Sequence, residues 1–153
     1  MERSGSHRLR LGRRSIAGQL YHVRFATQGR APLLASLSAG RVVARALRAA
    51  EESRQATTLC FVVMPDHVHW LLELGSRAPL FAVVGAVKGR TSRALVRSLP
   101  GRPDRPWQPG YFDRAIRREE DLAAVARYIV ANPVRAGLVS SVRAWSHWDA
   151  IWL

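Results

Sequence analysis

Two histidines one residue apart, His67 and His69, open an apolar run that continues to Leu74, directly after the hinge Met64-Pro65-Asp66. Side chains on a strand alternate faces, so His67, His69, Leu71 and Glu73 share one side. Val68, Trp70, Leu72 and Leu74 take the other side, which is entirely apolar and is the expected core face. The two imidazoles then project together, with about 7 Å between their Cα atoms. That spacing lets both rings reach one divalent ion. A single histidine on a strand is ordinarily satisfied by hydrogen bonds. A pair beside a carboxylate needs several partners if buried. Two imidazoles do not complete a site, so a third donor and a reactive atom must come from elsewhere.

The C-terminal third of the chain offers both. A helix is expected to start at Glu119-Glu120-Asp121, where its dipole favours acids, and to end at Asn132, because Pro133 disfavours helical geometry before it. Leu122, Val125 and Ile129 form its buried stripe. Tyr128 and Asn132, four residues apart, flank that stripe about 6 Å apart along the axis. Asn132 carries an amide oxygen suited to a hard divalent ion. Tyr128 carries a phenol oxygen, one of the few protein groups that can bond covalently to a substrate. Alone, each residue has an ordinary explanation, packing for the tyrosine and helix termination for the asparagine. With the histidine pair, the set has the makings of a metal site beside a nucleophile.

The elements that must position these groups follow from periodicity. Residues 19–27 alternate as a strand with Tyr21, Val23 and Phe25 inward, opposite Leu20, His22, Arg24 and Ala26. Leu34, Leu37, Val43, Leu47 and Ala50 then recur at near-helical spacing through Glu52. Two strands follow, at about residues 58–64 and 67–74. A second helix is expected from Pro79 to Ser98 with Leu80, Val83, Val84, Val87 and Leu95 inward. A Pro- and Gly-rich loop reaches Gly110, and residues 111–117 form one more strand. In the tail, Trp145, Trp148 and Trp152 are expected to pack against the rest. The order strand–helix–strand–strand–helix–strand predicts an α+β, ferredoxin-like split βαβ domain with an antiparallel sheet and an additional C-terminal helix carrying the tyrosine. Residues 16–153 make a single domain behind a flexible basic arm, residues 1–15.

Composition narrows the partners. The chain has 153 residues, a hydrophobic share of 48% and a formal charge of +13, which describes a folded domain with a polyanionic partner. No apolar run is long enough to cross a membrane, and there is no apolar signal-peptide core. The lone Cys60 excludes an intrachain disulfide framework and a multi-cysteine zinc site. A cytoplasmic location is expected. Of the 24 basic residues only Lys88 is a lysine; arginine forks suit phosphate, although a coding bias explains the choice equally well.

The segments Met64-Pro65-Asp66-His67-Val68-His69 and Tyr128-Ile129-Val130-Ala131-Asn132-Pro133-Val134-Arg135-Ala136-Gly137-Leu138-Val139 resemble the REP-associated tyrosine transposases. These belong to the single-tyrosine group of HUH endonucleases and transposases. The likeness runs from about Gly18 to Trp148 and includes Tyr21-His22-Val23, Lys88 and the block from Trp107 to Arg117. The Ala144-Trp145-Ser146-His147-Trp148 tail follows the family's tryptophan–serine–serine pattern only loosely.

The resemblance implies a metal-dependent enzyme that nicks single-stranded DNA beside hairpins formed by repeated palindromes. By carry-over, His67, His69 and Asn132 would be the metal ligands, with Mg²⁺ or Mn²⁺ as the ion. Tyr128 would be the nucleophile that forms a 5′-phosphotyrosine and leaves a 3′-hydroxyl able to reverse the attack. Lys88, Arg90, Arg93, Arg97 and Arg114 are expected to hold single-stranded or hairpin DNA, and Trp107 and Tyr111 to stack on unpaired bases; Phe112 lies in the same group of rings but is expected to pack. The protein would act as a monomer or homodimer. Two rival readings use the same residues: a hairpin-binding module without catalysis, and a metal-dependent phosphohydrolase that activates water.

Overall fold

The computed structural model describes residues 15–98, 101, 104–117 and 120–150. Most of the basic arm, Glu119 and Trp152 lie outside them. Five strands, β1 (Leu20–Ala26), β2 (Ala56–Val63), β3 (His67–Leu74), β4 (Phe112–Ala115) and β5 (Trp148–Ala150), form one sheet in the order β4-β1-β3-β2-β5. All the pairings are antiparallel. The first four strands have the expected split βαβ arrangement. The tail does more than pack: β5 adds a strand beside β2, pairing Cys60 with Ala150 and Val62 with Trp148.

Helices α1 (Leu37–Glu52) and α2 (Leu80–Ser98) pack on each other across one face of the sheet. Their buried residues, among them Val43, Leu47, Val83, Val84 and Leu95, meet Tyr21, Val23, Phe25, Val68, Trp70, Leu72 and Leu74. This is the face that alternation assigned to the core. Trp70 is fully buried, and its indole N–H donates to Thr58 Oγ1 at 3.0 Å, so the largest core side chain leaves no polar atom unpaired. Helix α1 starts three residues later than Leu34. Ser36 is its N-cap, accepting from Ala39 N at 3.2 Å. Leu34 is still buried, in the preceding turn, where its amide donates to Pro65 O.

The histidine face has a cover of its own. Helix α3 (Leu122–Val130) packs on β2 and β5. Ala126, Ile129 and Val130 bury Leu59, Cys60, Val62, Met64 and Leu71 in a second core. Asp121 is the N-cap, accepting from Ala124 N at 3.1 Å, so the acids precede the helix instead of starting it. The helix also stops at Ala131, and a short α4 (Asn132–Arg135) follows with Pro133 in its first turn. Proline lacks an N–H and is well placed there, where the amide has no intrahelical acceptor. Tyr128 and Asn132 therefore sit on two successive helices, not on one.

The tail is fastened to the scaffold at His147. Val63 N donates to His147 O at 2.8 Å and Trp145 Nε1 donates to Val63 O at 3.0 Å. The His147 ring is buried over Gly40 of α1, where an added Cβ would clash with it. Alanine is worth about 1 kcal/mol over glycine inside a helix, but overpacking a fixed ring costs about 1–3 kcal/mol. Gly40→Ala should therefore lower the melting temperature by about 2–4 °C, and adding His147→Ala should recover part of the loss. Equal or higher stability for Gly40→Ala alone in a thermal melt would show that the tail is not pinned there.

Candidate active site

The turn of the β2–β3 hairpin aims the first histidine. Met64 N donates to His67 O at 2.8 Å, which puts Pro65 and Asp66 at the tip. The Thr27 and Leu34 amides hold that tip, donating to Asp66 O and Pro65 O at 2.9 Å each. The Asp66 carboxylate then lies 2.7 Å from His67 Nδ1 and 3.1 Å from Arg30 Nε. An ionised carboxylate only accepts, so a neutral His67 carries its proton on Nδ1 and keeps the Nε2 lone pair.

Register places the remaining groups. Pairing of β1 with β3 sets Arg24 opposite His69 and Ala26 opposite His67. On the far side of β1, His22 pairs with Arg114 and Arg24 with Phe112. All these side chains share the histidine face by alternation. The His67 and His69 ring centroids are 4.9 Å apart, and His69 Nδ1 lies 2.9 Å from His22 Nε2.

Burial keeps this cluster uncharged. His69 is pushed down to about 3, by burial first and then by His67, His22, Arg24 and Arg135. His22 falls to about 4 through burial, Arg114 and Arg24. His67 is also lowered, because burial outweighs the opposing pull of Asp66. Neutral imidazole is the form that ligates metal.

Tyr128 stands in solvent with 64% of its surface exposed, so the phenol is not lost to the core. Arg135 covers one face of its ring, with the guanidinium carbon 3.7 Å from the centroid, and donates to the Tyr128 carbonyl oxygen. The Arg135 charge also acts on His69, which ties the tyrosine segment to the histidine pair. Asn132 donates from Nδ2 to Ile129 O at 2.8 Å, leaving Oδ1 as the atom with which it could ligate. Among the described residues, no three His, Cys, Asp or Glu side chains are arranged to hold a metal ion. Any metal held here would need a third donor of another type. An imidazole nitrogen from each histidine and one amide oxygen, all neutral, would fit Mg²⁺ or Mn²⁺.

The residues expected to hold DNA are dispersed. Trp107 and Tyr111 are each only 7% exposed. Trp107 donates to Thr91 Oγ1 at 2.8 Å and packs edge-on against Phe25, so both aromatics are core residues and not stacking platforms. Lys88 donates to the Gln108 and Gly110 carbonyl oxygens at 2.7 and 2.8 Å, fastening that loop to α2 instead of projecting toward a backbone. Arg90, Arg93 and Arg97 are exposed, but α2 lies across the sheet from the imidazoles. Arg114 is on the histidine side, paired with Glu120 at 2.8 Å.

Four neighbours of the site escaped the sequence reading. From the sequence, Asp66 reads as a hinge, and Arg135 stands out only as part of a motif. His22 and Arg24 were placed on the correct face of their strand, but nothing in one strand says which residues of another lie beside it. Phe112, 45% exposed with Arg24 4.9 Å from its ring centroid, replaces the buried aromatics as the accessible ring.

Known proteins share the sequence pattern and the fold. The family model described as "Transposase IS200 like" matches residues 15–132, which include both histidines, Tyr128 and Asn132. A Haemophilus influenzae protein named as a REP-associated tyrosine transposase is 28% identical over 99 residues, which is 59% of this chain and 56% of that protein. The chain thus spans little more than half the length of this curated relative. Among solved structures, a REP-associated tyrosine transposase bound to a REP hairpin superposes with a TM-score of 0.72 at 24% identity, covering 89% of this chain and 79% of that one. A Deinococcus radiodurans R1 crystal structure described as a transposase gives 0.57 at 26% identity, covering 77% of this chain and 93% of that one. With the family model spanning most of its length, including the histidine hairpin and the tyrosine helix, this chain belongs to the IS200-like transposase family.

Proposed function

We propose that this protein is a metal-dependent transposase that nicks single-stranded DNA beside a REP-type hairpin through Tyr128 and can rejoin the strands. One observation carries the reading. A solvent-exposed phenol lies under Arg135, whose charge also reaches His69 of a buried imidazole pair engaged through both Nδ1 atoms. The hairpin partner is the one bound by the structural neighbour. A divalent ion on His67, His69 and Asn132 would polarise the scissile phosphate and offset its developing charge.

The chain's own groups do the rest. The Tyr128 oxygen attacks phosphorus, the new O–P bond forms as the P–O3′ bond breaks, and the departing 3′ oxygen gains a proton while the phenol gives one up. The resulting phosphotyrosine retains the ester, so a 3′-hydroxyl can reverse the step. Arg135 holds the phenol ring by its face and adds a cation beside the phosphate. The half of the sheet formed by β1 and β4, beyond α3, carries Arg24, Phe112 and Arg114 next to the imidazoles. An aromatic ring among guanidinium groups suits an unpaired strand on its way to the site.

Three outcomes test this. Incubated with labelled hairpin oligonucleotides in Mn²⁺, the wild type should give a slowly migrating adduct on a denaturing gel, and Tyr128→Phe should give neither adduct nor nick while its DNA affinity stays within a few-fold. Cleavage surviving in Tyr128→Phe would instead favour a hydrolase, and a wild type that binds but never cuts would favour a binding module.

Removing the Arg24–Phe112 pair as a double alanine variant should weaken single-strand binding by about tenfold, since stacking alone is worth about 1–3 kcal/mol per base. Unchanged affinity would place the strand elsewhere.

The histidine cluster should also make the fold acid-labile. A base whose folded pKa lies below its unfolded value near 6.5 stabilises the native state fully above that value and loses the contribution as pH falls toward the folded one. With His22 near 4 and His69 near 3, urea midpoints should drop between about pH 6.5 and 4, by less in His22→Phe. A midpoint flat across that window would contradict the burial of neutral rings.

A further inference from the structure

We infer that His22 is a positioning residue for His69, accepting the His69 Nδ1 proton on its own Nε2 and so fixing the tautomer whose Nε2 lone pair faces the site. The inference rests on the metal-site reading above. Its basis is the symmetry between the two central rings. Each is engaged through Nδ1, His67 by Asp66 Oδ1 at 2.7 Å and His69 by His22 Nε2 at 2.9 Å.

A contact between two neutral imidazoles can be made in two ways. In one, His69 donates and keeps its Nε2 lone pair. In the other, His22 donates, and the His69 proton moves to Nε2, where it blocks ligation. The metal-site reading selects the first arrangement: with Nδ1 engaged by His22, only Nε2 of His69 is left to ligate, and it must carry the lone pair. Groups that hydrogen-bond to the far nitrogen of a ligating imidazole set its orientation and tautomer in metal sites.

His22 also differs usefully from Asp66. A neutral acceptor orients the ring without adding a second negative charge, so the site keeps its attraction for phosphate. The His22 ring, tilted by 32° to His69 with centroids 5.2 Å apart, adds packing as well as the hydrogen bond. Its place in the register, paired with Leu71 on one side and Arg114 on the other, is fixed by two strands.

The test is Mn²⁺ binding by the full chain without DNA, followed by the electron paramagnetic resonance signal of free Mn²⁺. Wild type should bind, and the His67→Ala/His69→Ala variant should not. His22→Phe keeps a ring but offers no acceptor and should bind about 10–100-fold more weakly. His22→Gln, with an amide oxygen in reach, should recover most of the affinity. If His22→Phe binds as wild type does while the double alanine variant fails, the inference is wrong and the metal site stands. If wild type binds no better than the double alanine variant, the site reading itself fails and takes the inference with it. A second readout needs no variant. Nitrogen-15 long-range correlation spectra of the metal-free wild type should show His69 protonated at Nδ1, and a proton on Nε2 would overturn the proposal.

Discussion

A strand's two-residue side-chain period leaves the central hairpin no freedom over which groups share a face. Once Val68, Trp70 and Leu72 are committed to the layer beneath α1 and α2, His67 and His69 must project together on the other side. The commitment is strong because Trp70 is wholly enclosed and its N–H is satisfied in this register. A slip of one residue would expose the tryptophan and bury both imidazoles against apolar helices. The geometry of the chemical face is thus a by-product of packing on the opposite one. Rigidity arises the same way, since β3 is flanked by β1 and β2 along its whole length.

The site combines two electrostatic conditions that rarely coincide. Burial keeps three imidazoles neutral, while Arg24, Arg114 and Arg135 surround them with permanent positive charge. Those cations reinforce the effect of desolvation and hold the rings in their neutral form. They would also attract a phosphodiester, the species that the proposed reaction requires. Asp66 is the exception, and its charge is shared between His67 and Arg30. A carboxylate aimed freely into the cleft would repel the phosphate; this one is occupied in orienting a ring.

What could be read from the sequence was periodicity, and what could not was adjacency. The two faces of β3, the core stripe of α2 and the strand at Tyr21–Phe25 follow from alternation or helical spacing, and the structure places them as expected. The contact between His22 and His69 depends on how β1 pairs with β3, a relation between segments 47 residues apart. The break at Ala131 is not legible in the sequence, because proline after a helix signals a stop, whereas here it starts the next helix. Trp107 and Tyr111 misled for a similar reason. Aromatic rings among arginines look like a stacking groove, but the loop folds inward, and Thr91 on α2 supplies the partner that the buried indole needs. Lys88 went the same way, its charge absorbed by carbonyls that no sequence pattern announces.

The two borders of the sheet are finished differently. On one, β5 stitches onto β2 and consumes its outward backbone groups at Cys60 and Val62. The other is β4, only four residues long and carrying Asp113 and Arg114. A border so short and so charged makes a poor template for a strand from another molecule, which protects a basic protein from zipping onto its own copies. What that margin presents to a visitor is side chains in place of a backbone ladder, and a ligand shaped like a polyanion can use them.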